Sequence, residues 1–188
     1  LAGAYSVTVS PDGSHVYAAG SQDDAVAVFS RDSSTGSLTF VEMEKDGVNS
    51  VDGLNGVKSV TVSPDGNHVY TAGSQDDAVA VFSRDSSTGA LTFVEMYKDG
   101  VGSVDGLAGA HSVTVSPDGS HLYAAGFYEY SVAVFSPHIT DEPDPVIIRR
   151  AVPAVPEEPA STAYIGCGTT DNKCIIYDNT QSEFKILK

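Results

Sequence analysis

The chain has 188 residues, 41% of them hydrophobic, and carries 25 acidic against 10 basic side chains for a formal net charge of −15. That length is enough for a domain with a real core, and no apolar run approaches the ~18 residues of a membrane helix. The charge argues against nucleic acid, whose phosphates need Lys and Arg, and against an anionic membrane surface; it suits plain solubility or a face that collects cations.

Taken in order, residues 6–10 (SVTVS) alternate and are β-branched, which predicts a strand. Pro11-Asp12-Gly13 predicts a tight turn, with Pro presetting φ and Gly taking a positive φ. A second strand is expected at His15–Ala19, a polar turn at Ser21–Asp24, and a third strand at Ala25–Phe29. The DSSTG stretch at 32–36 turns the chain again before a fourth strand at Leu38–Met43. No segment shows a 3.6-residue apolar period, so no helix is expected.

The same pattern then returns. Pro11, Pro64 and Pro117 are 53 residues apart, and residues 6–58 differ from 59–111 at 8 positions, so 45 of 53 are identical. Four antiparallel strands per repeat of this size make the blade of a β-propeller, an all-β fold. Residues 1–136 then form three near-identical blades, the third incomplete. The stretch SPDGSHVYAAGSQDDAVAVFSRDSSTGSLTFVE resembles the lactonase-type, or YVTN-like, propeller repeat of bacterial surface proteins, which also occurs in the family that includes 6-phosphogluconolactonase. The resemblance spans residues 1–136. It implies a propeller fold and offers lactone hydrolysis as an activity.

After Ser136 the repeat stops. Residues 137–159 hold six of the nine prolines around Val146–Val152, so 137–161 reads as a Pro-rich connector with a divergent outer strand. Residues 162–188 read as an atypical final blade of three strands, only generically propeller-like, giving three and a half to four blades in all. Single-chain propellers usually close with about four to eight blades, so the expectation is a fragment, a small ring, or copies that associate. In the hairpin from Cys167 to Cys174, symmetric register opposes the two cysteines at a separation suited to a disulfide; two buried free thiols are the other reading. With no His or third Cys nearby, a metal site at the pair is not expected.

Catalysis needs different residues in defined mutual geometry, and near-identical blades offer the same ones repeatedly. His15, His68 and His121, each following the PDG turn, therefore read as structural, as do Ser10, Ser63 and Ser116. The turns sort the acids, so Asp23, Asp24, Asp46, Asp52, Asp76, Asp77, Asp99 and Asp105 are expected on one face, either as solvated turn residues or as ligands for calcium. Lys45, Lys58 and Lys98 are the few bases nearby, a poor match to a sugar phosphate. Where earlier blades read SQDDA, the third reads Phe127-Tyr128-Glu129-Tyr130-Ser131, a stacking platform for a ligand or a cover for residues 137–159.

These residues point to a non-catalytic propeller module for binding or structural assembly, extracellular or at the cell surface, whose partner is a protein or carbohydrate ligand or other blades. The alternatives are a lactonase-like hydrolase with catalytic residues outside this chain, and a self-assembling oligomer or fibre subunit. No catalytic residue and no cofactor beyond calcium is assigned.

Overall fold

The computed structural model describes residues 1–136 and, beyond them, the backbone of three short strands at 166–167, 174–178 and 183–187. Two compact units are present, Leu1–Pro153 and Ala154–Lys188. The described part is all-β. Blade 1 is an antiparallel sheet of β1 (Ala4–Val9), β2 (His15–Gly20), β3 (Ala25–Arg31) and β4 (Leu38–Lys45), in that spatial order. Blade 2 repeats it with β5 (Val57–Val62), β6 (His68–Gly73), β7 (Ala78–Arg84) and β8 (Leu91–Lys98). Blade 3 contributes β9 (Ala110–Val115), β10 (Leu122–Gly126) and β11 (Ser131–Phe135). The divergent outer strand expected at 146–152 lies outside the described residues.

Each PDG turn closes as its chemistry requires. The Gly13 amide donates to the Ser10 carbonyl at 2.8 Å, Gly13 takes φ 73°, and the Asp12 carboxylate accepts the Ser14 amide at 2.9 Å. In the repeated His15 and His121 the ring Nδ1 shares a 2.7 Å hydrogen bond with the preceding serine hydroxyl.

Alternation then decides where the core lies. Side chains of successive strand residues point to opposite faces, and the AVAVF strands are apolar on both. Tyr17, Ala19, Val26 and Val28 of blade 1 pack with Val57, Val60, Val69, Ala80 and Phe82 of blade 2. From the opposite face of blade 2, Tyr70, Ala72, Val79 and Val81 pack with Val113, Leu122, Ala124, Ala133 and Phe135 of blade 3. The core is therefore a pair of layers between blades. The other face of blade 1 exposes Val7, Val9 and Phe40, whose counterparts one repeat later, Val60, Val62 and Phe93, pack against blade 1.

One cation fastens the first layer. Arg84, at the end of β7, donates from Nε to the Tyr17 hydroxyl at 2.6 Å and from Nη1 to the Gly66 carbonyl at 2.8 Å. Its Nη2 donates to Asp12 Oδ2 at 2.9 Å and lies 3.0 Å from His15 Nδ1, which accepts. Tyr17 passes the chain on to the Gly89 carbonyl at 2.9 Å. Burial and then the neighbouring Arg84 charge lower the pKa of His15, keeping its acceptor lone pair.

In the second unit, β12 (Gly166–Cys167), β13 (Cys174–Asp178) and β14 (Glu183–Leu187) pair in that order, with Cys167 directly opposite Cys174. The two cysteine side chains lie outside those described.

Arg84 makes a sharp prediction, because its counterpart Arg31 has, among the described residues, only the Gly13 carbonyl as a side-chain hydrogen-bond partner, at 3.0 Å. Replacing Arg84 by Leu removes the donor to the Tyr17 hydroxyl and the Gly66 carbonyl and breaks the pair with Asp12, and should lower the unfolding free energy by about 2–3 kcal/mol in urea titration. Arg31→Leu should cost under about 1 kcal/mol.

Candidate functional site

The innermost strands of the three blades, β1, β5 and β9, run side by side. The Ser6 hydroxyl of β1 accepts the Val60 amide of β5 at 3.3 Å, and the Ser59 hydroxyl of β5 accepts the Val113 amide of β9 at 3.2 Å. This convergence brings one repeat position together from all three blades: Tyr5, Lys58 and His111, spaced 53 residues apart. The Tyr5 hydroxyl lies 3.2 Å from His111 Nε2, the two rings meet edge to face at 5.7 Å, and the Lys58 ammonium stands 4.5 Å above the Tyr5 ring. A residue of blade 1 thus touches one of blade 3 across blade 2. Lys58 is half-buried and His111 exposed.

Three different polar side chains at one position are what repeated blades otherwise deny: an imidazole, a phenol hydroxyl and an ammonium. Of these the sequence reading singled out only Lys58, as a stray base. The signal was present, since Lys58 and His111 are one of the eight differences between the first two repeats.

The aromatic turn adjoins this cluster through one member. Phe127 lies 5.9 Å from His111 and 5.3 Å from Tyr128, ring centre to ring centre. Phe127, Tyr128 and Tyr130 are 63%, 71% and 75% exposed. Tyr130 occupies φ 53°, the left-handed conformation that Asp24 and Asp77 take at the same turn position, and which a bulky side chain adopts at a cost. Glu129 differs from these rings: its Oε2 accepts the Ala108 amide at 3.4 Å.

The acids have a consistent task. Three successive amides of the connector into blade 2 each meet a carboxylate from a different loop: Leu54 to Asp46 at 3.0 Å, Asn55 to Asp76 at 2.9 Å and Gly56 to Asp24 at 2.8 Å. The connector into blade 3 repeats this with Leu107 to Asp99, Ala108 to Glu129 and Gly109 to Asp77. Asp23 accepts the Ala2 amide at 2.5 Å. Carboxylate oxygens of Asp46, Asp52 and Asp76 lie within 4.8 Å of one another, as do those of Asp99, Asp105 and Glu129. Calcium takes six to eight oxygens, so an ion at either trio would need loop carbonyls and water besides.

A scan of family models places residues 2–104 in the family described as Lactonase, 7-bladed beta-propeller. The chain belongs to this lactonase family. No curated protein matches it in sequence. Among solved structures it is similar to a provisionally named 6-phosphogluconolactonase from Bacteroides fragilis, with 23% identity and a TM-score of 0.59 over 69% of this chain and 33% of that one. It is also similar to the periplasmic gluconolactonase PpgL of Pseudomonas aeruginosa, with 21% identity and a TM-score of 0.62 over 78% and 42% of the two chains. A second provisionally named 6-phosphogluconolactonase, from Bacteroides uniformis, matches at 18% identity and a TM-score of 0.62 over 98% and 50%. The chain spans a third to a half of the length of these lactonase-like propellers, and at such identities the likeness is one of fold.

Crowding among the acids has a measurable consequence. Burial, then repulsion by Asp46 and Asp52, raises the pKa of Asp76 against the lowering effect of its bond from Asn55. A carboxylate with a raised folded-state pKa weakens the fold when ionised; the penalty is absent below its unfolded pKa and complete above the folded one. Asp76→Asn keeps an acceptor for Asn55. It should raise the melting temperature at pH 7, with the gain shrinking as the pH falls towards 3.5.

Proposed function

We propose that the chain forms part of a lactone-hydrolysing propeller whose reacting site lies at the axis, on Tyr5, Lys58 and His111. The single observation that supports this is their convergence from one repeat position, with Tyr5 bonded to His111 and Lys58 over the Tyr5 ring. Family membership supplies the reaction class. In this reading His111 Nε2 takes a proton from water as the water oxygen bonds to the lactone carbonyl carbon. Lys58 offsets the negative charge on the carbonyl oxygen. When the ring ester bond breaks, the departing alkoxide recovers the proton from His111. Tyr5 orients the imidazole. Further blades, or a second copy of the chain, would cover the apolar face of Val7, Val9 and Phe40.

The acidic loops around the mouth favour an uncharged sugar lactone over a phosphorylated one. The periplasmic location printed for the Pseudomonas relative and the opposed Cys167 and Cys174 support work outside the cytoplasm, in an oxidising compartment.

The exposed Phe127 and Tyr128 beside His111 favour a second reading, a binding module that holds a carbohydrate or protein ligand without turnover. Hydrolysis of glucono-1,5-lactone followed by pH-stat distinguishes the two. The chain should exceed the spontaneous rate, and His111→Ala should cost on the order of 10²-fold in kcat. Saturable binding of gluconate with no rate above buffer would replace the hydrolase by the binding module.

A further inference from the structure

The repeat contains an internal control for a berth that no described residue fills. Between blades 1 and 2, the acceptors Asp12, His15, Tyr17 and Gly66 all converge on the Arg84 guanidinium. One repeat later these positions are Asp65, His68, Tyr70 and Gly119, an unchanged set of residue types, yet the counterpart of Arg84 is Pro137. The guanidinium is deleted and its acceptors are kept.

A cavity of about 230 Å³ occupies that place, lined by Ser63, Asp65, His68, Tyr70, Asp118 and Gly119 among others. His68 Nδ1 is buried there without a hydrogen-bond partner among the described residues. Its counterpart His15 has two, Arg84 and the Ser14 hydroxyl; at His68 the serine is replaced by Asn67, whose side chain turns to Asp65 instead. A buried acceptor left unmet costs stability, and here it faces a cavity bearing two carboxylates. Burial lowers the pKa of His68 despite the pull of Asp65, so the ring offers a lone pair at neutral pH. Asp65 is held ionised by bonds from Ser63 and Asn67 that outweigh burial.

We propose that the cleft between blades 2 and 3 binds a guanidinium group through the Asp65 carboxylate, His68 Nδ1, the Tyr70 hydroxyl and the Gly119 carbonyl. The planar fork of a guanidinium matches acceptors that diverge around it, whereas an ammonium reaches fewer of them. The group belongs either to a free guanidino compound or to an arginine side chain of a protein.

The test uses the whole chain at pH 7.5, with methylguanidinium and N-acetyl-arginine methylamide as probes, methylammonium and the lysine analogue as controls, and NMR of the His68 imidazole nitrogens as readout. Both guanidinium probes should shift His68 Nδ1 saturably, with dissociation constants of about 1–10 mM, at least about tenfold tighter than the ammonium controls. Asp65→Asn should weaken binding by about tenfold or more, while Asp12→Asn, in the filled berth, should leave it unchanged. Pro137→Arg, which restores the repeat, should abolish probe binding and raise the urea midpoint. Tighter binding of the arginine amide assigns the occupant to a protein; tighter binding of methylguanidinium assigns it to a small molecule. No saturable shift at His68, equal affinity for ammonium, or full binding in Asp65→Asn or Pro137→Arg would overturn the proposal.

Discussion

The described blades are apolar on both faces, and among all-β elements such a sheet is buried by stacking between other sheets. That constraint generates the rest of the structure. It places the core in layers between blades, Val26 and Val28 against Val69 and Phe82, then Val79 and Val81 against Ala133 and Phe135. It also explains the small residues of the strands, since stacked sheets pack about 10 Å apart and tolerate little bulk where their inner strands converge. A chain built this way repeats because each blade must present to the next the surface that it receives from the last.

Stacking apolar sheets fixes their spacing but not their angle about the axis, and polar contacts supply that. Arg84 ties the PDG turn of blade 1 to the body of blade 2 on one face of the disc. On the other face, three carboxylates from three loops hold three successive connector amides. The strongly negative charge of the protein is thus partly a structural device, with acids serving as acceptors for backbone that would otherwise go unpaired. Burying and crowding them has a cost, visible in the raised pKa of Asp76.

The architecture was legible because it depends on patterns the sequence states several times: two-residue alternation, PDG turns and a 53-residue period. The purpose of the acids was less so. Their shared face followed from the turns, but their pairing with Leu54, Asn55 and Gly56 depends on backbone from distant parts of the chain. The axial cluster was missed for a related reason. Tyr5, Lys58 and His111 are far apart in sequence and chemically unalike, and only the convergence of β1, β5 and β9 makes them neighbours. The second berth was hidden in the same way, since Pro137 reads as the end of a repeat until the structure shows what Arg84 does one repeat earlier.

The proposed function rests on a place where the repeat departs from itself, the axial position of Tyr5, Lys58 and His111. Chemical-shift mapping of the isotopically labelled chain titrated with gluconate, the product of lactone opening, tests that claim. The account predicts saturable shifts concentrated at Tyr5, Lys58, His111 and Phe127, with the repeated PDG turns unmoved. Shifts spread evenly over equivalent residues of all three blades, or absent from the axis, would contradict it.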